Sequence, residues 1–74
     1  MIIVNCALRQ QDIINVVEAI QIQNNKPFKF IKKQGIKIFF NTDYENLEEA
    51  CTVIKKEIKS QTYGNALYFN VITD

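Results

Sequence analysis

In the first third of the chain, the spacing of the hydrophobic residues changes once, from a continuous run to a helical repeat. Residues 2–8 are apolar and rich in β-branched side chains, which predicts a buried strand. From residue 10 to residue 24 the apolar side chains recur at helical spacing instead, so an amphipathic helix is predicted there. Its core side holds Ile13, Val16, Val17 and Ile20. Ile22 falls on the opposite side and is expected to be exposed, and Asn24 and Pro27 are expected to end the helix.

Residues 28–41 predict a β-hairpin, because two apolar, β-branched or aromatic runs flank a glycine. Paired residues in a sheet must share a face, and this condition selects the register. A two-residue turn at positions 34–35 would pair Lys33 with Ile36 and Lys29 with Phe40, which places lysines against the core. A three-residue turn at positions 33–35, with a left-handed glycine, pairs Phe30 with Ile38 instead and places Lys29 on the outer face. This register directs Ile36 inward.

The second helix is predicted to begin at a capping box, the segment 42–45 with the sequence Thr-Asp-Tyr-Glu. Acidic residues follow early and lysines late, which suits the helix dipole. The core stripe of this helix comprises Leu47, Ala50, Cys51, Ile54 and Ile58. A small polar loop then leads to a fourth strand over residues 66–73, whose inward set is Leu67, Phe69 and Val71.

These elements follow the order strand, helix, strand, strand, helix, strand. Short connections and right-handed crossovers favour one four-stranded antiparallel sheet with both helices on one face. The predicted fold is therefore a two-layer α/β (α+β) domain of the ferredoxin-like βαββαβ type, with the strands in the order fourth, first, third, second. One domain is expected over residues 1–74, since a chain of 74 residues has room for one core.

Composition places the chain among ordinary globular proteins, with 47% hydrophobic and 23% charged residues. The net charge of +1 gives no global field that would attract nucleic acid or an anionic membrane. Cys6 and Cys51 are too few for a disulfide scaffold and are expected to be buried thiols. The uncharged opening segment, residues 1–8, is too short to span a membrane, so a cytoplasmic location without a membrane partner is expected.

The residue types needed for catalysis are scarce. The chain has no histidine, one serine at position 60 and two glycines, each at a predicted turn. Histidine-dependent nucleophilic sites and glycine-rich phosphate loops are therefore excluded. The early acidic residues of the second helix are explained by its dipole. We expect a protein that is not an enzyme, with no catalytic residue, no cofactor and no metal site.

The uncovered face of the predicted sheet is the surface that the sequence singles out for binding. The candidate interaction surface consists of Lys29, Ile31, Lys37, Phe39, Tyr68, Asn70 and Ile72. The second strand, at one edge, is guarded by lysines, whereas the fourth strand, at the other edge, has no charge from residue 66 to residue 73. We therefore expect a protein-interaction or regulatory module that associates through the fourth strand and the open face, with a protein partner or as a homodimer.

The open face also has a non-functional interpretation, in which Phe39 and Tyr68 pack beside lysine side chains on a solvated sheet. Two further alternatives give the face a different function. The element order is also that of RNA-recognition domains, and Phe39 and Tyr68 would form a weak platform for single-stranded RNA. Isoleucines occupy the two positions where such domains place stacking aromatics, at Ile36 and Ile38, so RNA is not the favoured partner. The other alternative is a small-molecule sensing domain with its ligand at a dimer interface. The loop at residues 8–10 lacks the glycine usual in such domains.

Overall fold

The computed structural model describes residues 1–73, so Asp74, the last residue of the predicted domain, lies outside it. The elements in chain order are β1 (Ile2–Asn5), α1 (Gln10–Ala19), β2 (Phe28–Gln34), β3 (Lys37–Thr42), α2 (Leu47–Lys59) and β4 (Asn70–Thr73). A short 3-10 turn over Gly64–Ala66 precedes β4. The strands form one antiparallel sheet in the order β2-β3-β1-β4, which confirms the predicted α+β class and the four-stranded antiparallel sheet.

Both helices pack on the same side of this sheet. One continuous core joins the inward side chains of the strands to those of α1 and α2. Its largest fully buried members are Phe28, Phe40, Ile2, Ile13, Ile38, Ile54, Ile58, Val4 and Val17. The opposite face of the sheet carries no helix among the described residues, and it is called the open face below.

Helix α1 is shorter than its hydrophobic period predicts. It ends at Ala19, and a tight turn follows in which Gln23 and Asn24 have φ values of 51° and 67°. Two consecutive residues with positive φ are typical of a type I′ turn, which reverses the chain. Ile22 and Asn25 exchange backbone hydrogen bonds of 2.8 and 2.9 Å across it. The turn folds Ile22 back onto the core, so the prediction that this side chain is exposed was wrong.

The hairpin register also differs from the prediction. Gln34 pairs with Lys37 around a two-residue turn, and Phe30 pairs with Phe40 rather than with Ile38. A β-bulge between Phe30 and Lys32 makes both pairings possible. The one extra residue lets Phe28 and Phe30 face the core and turns Lys32 to the opposite face of the sheet. Ile36, predicted to point inward, lies in the turn and is 52% exposed.

Helix α2 begins four residues later than the predicted capping box. Thr42 is the last residue of β3, and its hydroxyl accepts a hydrogen bond of 3.0 Å from the backbone N–H of Tyr44. The cap is Asn46, whose Oδ1 accepts from the backbone N–H of Glu49 at 3.0 Å. Thr42 cannot cap the helix because its backbone still belongs to the sheet, where it pairs with Phe28.

Strand β4 covers only the second half of the predicted segment. The 3-10 turn includes the first residue of that segment, Ala66, and Tyr68 precedes the strand instead of lying within it. The predicted inward set is placed correctly, since Leu67, Phe69 and Val71 are half-buried and pack against the core.

Candidate interaction surface

Cross-strand pairing arranges the open face in rows. The middle row runs across all four strands through Ile72, Ile3, Phe39 and Lys32. Ile3 is 7% exposed although it does not belong to the core beneath the helices. Since its cross-strand neighbours Phe39 and Ile72 lie within reach on the same face, the row is a small apolar cluster with a lysine at one end.

A second row carries amide side chains beside the apolar one. It runs through Asn70, Asn5, Lys37 and Gln34. The Nδ2 of Asn5 donates a hydrogen bond of 2.7 Å to the Oδ1 of Asn70. The Oδ1 of Asn5 is buried and has no hydrogen-bond partner among the described residues. On the other side of the apolar row, Lys29 pairs with Asn41.

The aromatic ring at the centre of the face is partly covered by a cation. The ammonium nitrogen of Lys32 lies 5.0 Å from the centroid of the Phe39 ring. Lys32 was absent from the predicted surface because regular alternation along β2 points it inward, and the bulge at Ile31 reverses this. Ile31 itself is 44% exposed at the bulge.

Charge is unevenly distributed along the chain, and the net value hides this. Residues 19–42 contain five lysines and no acidic residue. The rest of the chain contains all eight acidic residues, three lysines and Arg9, so its formal charge is −4. The β2–β3 hairpin with the turn before it is therefore a basic segment of formal charge +5. A count of charges by segment, in place of the net charge, would have identified it from the sequence.

The β4 side of the sheet has the opposite character. Residues 60–73 contain no charged side chain. Tyr68 is fully exposed and Ile72 is 44% exposed. In the part of the chain that the structure describes, no strand pairs with the outer side of β4. An apolar cleft of about 160 Å³ adjoins this edge and is lined by Cys6, Ala7, Leu8, Ala66, Leu67 and Tyr68.

The seven predicted surface residues lie in different parts of the sheet. Phe39 and Ile72 share the apolar row, and Lys37 and Asn70 share the amide row beside it. Tyr68 lies two residues before the start of β4, and Lys29 lies in the row on the other side of Phe39. The surface divides into a basic part on β2 and β3 and an uncharged edge at β4.

The two thiols show no sign of activation. Cys6 is buried and its Sγ lies 3.2 Å from the backbone carbonyl oxygen of Leu8. Burial raises the pKa of the half-buried Cys51 thiol, and the charge of Glu48 adds to this effect. A raised pKa leaves little of the thiolate that acts as a nucleophile.

Within residues 1–73, no group of three or more Cys, Asp or Glu side chains is placed to hold a metal ion. No helix of this part of the chain is long and apolar enough to cross a membrane. Comparisons with protein-family models, with curated proteins and with solved structures find no match to this chain.

Proposed function

We propose that this protein is a non-enzymatic association module of the ferredoxin-like type, in which β4 takes up an antiparallel strand from a second copy of the chain. The observation that carries the proposal is the uncharged, unpaired edge of β4 beside the exposed side chains of Tyr68 and Ile72. Such an edge offers free backbone donors and acceptors to another strand.

The two edges of the sheet differ in what they allow a second copy to do. On β2, pairing between copies would bring Lys29, Lys32 and Lys33 of each chain together. Like charges opposite one another destabilise a strand pair, so this edge opposes self-association. On β4 no charge opposes it, and the exposed apolar side chains would be removed from water.

Side-chain facing limits the register of the proposed pair. Antiparallel pairing centred on Asn70 places Tyr68 opposite Ile72 of the second copy, and the symmetry repeats this pair. Phe69 then lies opposite Val71 on the helix side, so every pair shares a face. Aromatic and β-branched side chains paired across strands contribute about 0.2–1 kcal/mol each. Leu67 already has extended backbone angles, with φ −91° and ψ 136°, so pairing can continue beyond β4.

The proposal includes a cytoplasmic location. It is supported by the state of the two cysteines, both of which are free. Reduced thiols persist in a reducing compartment.

The test is the molar mass of the intact chain in solution, measured by size exclusion with light scattering from micromolar to millimolar concentration. The chain offers a matched pair of variants, because Ile72 and Ile31 are both 44% exposed but lie at opposite edges of the sheet. We expect a dimer that Ile72→Lys converts to a monomer and that Ile31→Lys leaves intact. A monomer at every concentration, or equal loss in both variants, would overturn the proposal.

The register has its own test. With Asn70 opposite itself, an Asn70→Cys variant should form a disulfide between copies on mild oxidation, because the two Cα atoms would lie within the range that a disulfide requires. Ile72→Cys is the control, since position 72 lies opposite position 68 and not opposite itself. Cross-linking through position 72 but not through position 70 would rule out this register.

A further inference from the structure

The basic part of the open face combines cations with an aromatic ring. Lys29, Lys32 and Lys37 lie on β2 and β3 with no acidic residue in either strand. Phe39 lies among them, half-buried in the apolar row. Phosphate groups attract clustered lysines, and aromatic rings on a sheet stack on unpaired bases. Both requirements are met within one pair of strands.

The ring of Phe39 can be freed at small cost. The Lys32 ammonium that lies over it makes a cation–π contact, which is weak at an exposed site. Stacking of a base on an aromatic side chain contributes more to binding than an exposed cation–π contact does. A base that replaces Lys32 on the ring would therefore gain more than the contact loses, and the released ammonium would remain close to the phosphates.

We propose that this basic part of the open face binds single-stranded nucleic acid, with Lys29, Lys32 and Lys37 at the phosphates and one base stacked on Phe39. An acidic peptide would use the lysines alone, whereas a nucleic acid also uses the ring. The exposed amide of Asn41 lies in a row that flanks Phe39, where the edge of a stacked base can meet it. Stacked and paired bases of a duplex would not reach the ring. The inference does not depend on association through β4.

The first test is titration of the intact chain with short, fluorescently labelled oligo-dT and oligo-U, followed by anisotropy. A triple variant, Lys29→Gln with Lys32→Gln and Lys37→Gln, is compared with Lys55→Gln, Lys56→Gln and Lys59→Gln on α2. Both remove three positive charges, but only the first removes them from the proposed site. We expect about a tenfold or greater loss of affinity in the first variant and less than about a twofold change in the second.

The salt dependence supplies a second measurement. Three phosphate contacts to a single strand predict a slope of about −2 for the logarithm of affinity against the logarithm of salt concentration. Affinity should therefore fall roughly 20-fold between about 50 mM and about 200 mM salt. Equal losses in the two triple variants would indicate attraction to net charge alone and would overturn the proposal, as would absence of binding at low salt.

The role of the ring is tested by Phe39→Leu, which keeps an apolar side chain beside Ile3 but removes the aromatic face. We expect roughly a fivefold or greater loss of affinity, restored by Phe39→Tyr. Polyglutamate serves as a competitor without bases. If it competes as well as the oligonucleotide and Phe39→Leu binds normally, the site is a general acceptor of acidic polymers and the assignment to nucleic acid is wrong. Circular dichroism verifies that each variant is folded.

Discussion

Gly64 provides a sharp test of how β4 is attached to the rest of the domain. A Cβ atom at this position would collide with the backbone carbonyl oxygen of Ile58 and would lie 2.8 Å from the Cα of Lys59. Both obstacles are backbone atoms at the end of α2, so no side chain can rotate away. The backbone N–H of Gly64 donates to the carbonyl of Gln61 at 3.0 Å, which fixes the turn from the same side. Gly64→Ala must therefore displace the helix end or the turn.

The size of the effect can be worked out from this collision. Forcing an extra carbon into a packed site typically costs about 1–3 kcal/mol. Because the atoms that the new carbon meets are backbone atoms and cannot rotate away, we expect Gly64→Ala to cost about 3 kcal/mol. A domain of this length is expected to have a free energy of unfolding of about 4–11 kcal/mol. Since 1 kcal/mol lowers the Tm of such a domain by about 4–8 °C, Gly64→Ala should lower it by about 12–24 °C.

The other glycine of the chain is a matched control. A Cβ at Gly35 meets nothing within 4 Å, but its φ of +60° is a left-handed conformation. Gly35→Ala should therefore cost only the conformational strain, about 1 kcal/mol and about 4–8 °C in Tm. Thermal and urea unfolding of both variants, followed by circular dichroism, measure the difference. If Gly64→Ala were no less stable than Gly35→Ala, the close approach of the turn to α2 would be refuted.

Three further predictions address local structure. Asn46→Ala should lower the free energy of unfolding by about 1 kcal/mol in urea, and an unchanged value would contradict the observed cap. Gln23→Asn should raise the Tm, because Asn accepts the left-handed backbone of the turn more readily than Gln does; a lower Tm would count against the turn. Burial raises the pKa of Tyr44 and of Tyr63 above the ordinary value of 10.0, with Glu49 and Asp12 respectively adding to the effect. The unfolded chain therefore loses these protons first, so stability should fall as pH rises through about 10, and Phe at both positions should flatten this fall in alkaline urea titrations.

The sequence predicted the faces of the elements better than their ends. Hydrophobic period places Phe28, Phe30 and Phe40 on the core side whatever their partners are, because the period belongs to each strand separately. Register depends on where a bulge occurs, and nothing local marks Ile31 as the extra residue. A two-residue turn at positions 34–35 would have placed Lys29 against the core; the observed turn is at Gly35 and Ile36, and in that register the bulge keeps Phe28 and Phe30 inward and Lys29 on the open face.

Helix ends were ambiguous for a related reason. Thr42 and Asn46 are both good cap residues, each followed three positions later by Glu, and local pattern alone does not choose between them. Tertiary pairing decides, because β3 retains Thr42 in the sheet. The candidate surface could be predicted in part for the same reason. Alternation along each strand predicts that Phe39 and Ile72 lie on the open face, whereas the position of Lys32 on that face depends on the bulge in β2.

The two proposed surfaces lie toward opposite edges of one sheet, so one molecule can use both at the same time. Pairing through β4 would leave five strand spacings between the β3 strands of the two copies, about 24 Å. The Debye length at physiological ionic strength is about 8 Å, so the two basic segments would hardly repel one another in the dimer.

The same geometry predicts how the two activities combine. A dimer carries two basic segments on one continuous open face, so an oligonucleotide long enough to contact both should bind more tightly than two separate short ones. Ile72→Lys should abolish this gain, whereas the affinity for a short oligonucleotide should not fall, because Lys29, Lys32 and Lys37 remain in place and the new lysine adds a positive charge to the open face. Anisotropy titrations with short and long oligo-dT measure both quantities. A gain that persists in a monomeric Ile72→Lys variant would mean that chain length acts within one copy, and the proposed arrangement of the dimer would then be wrong.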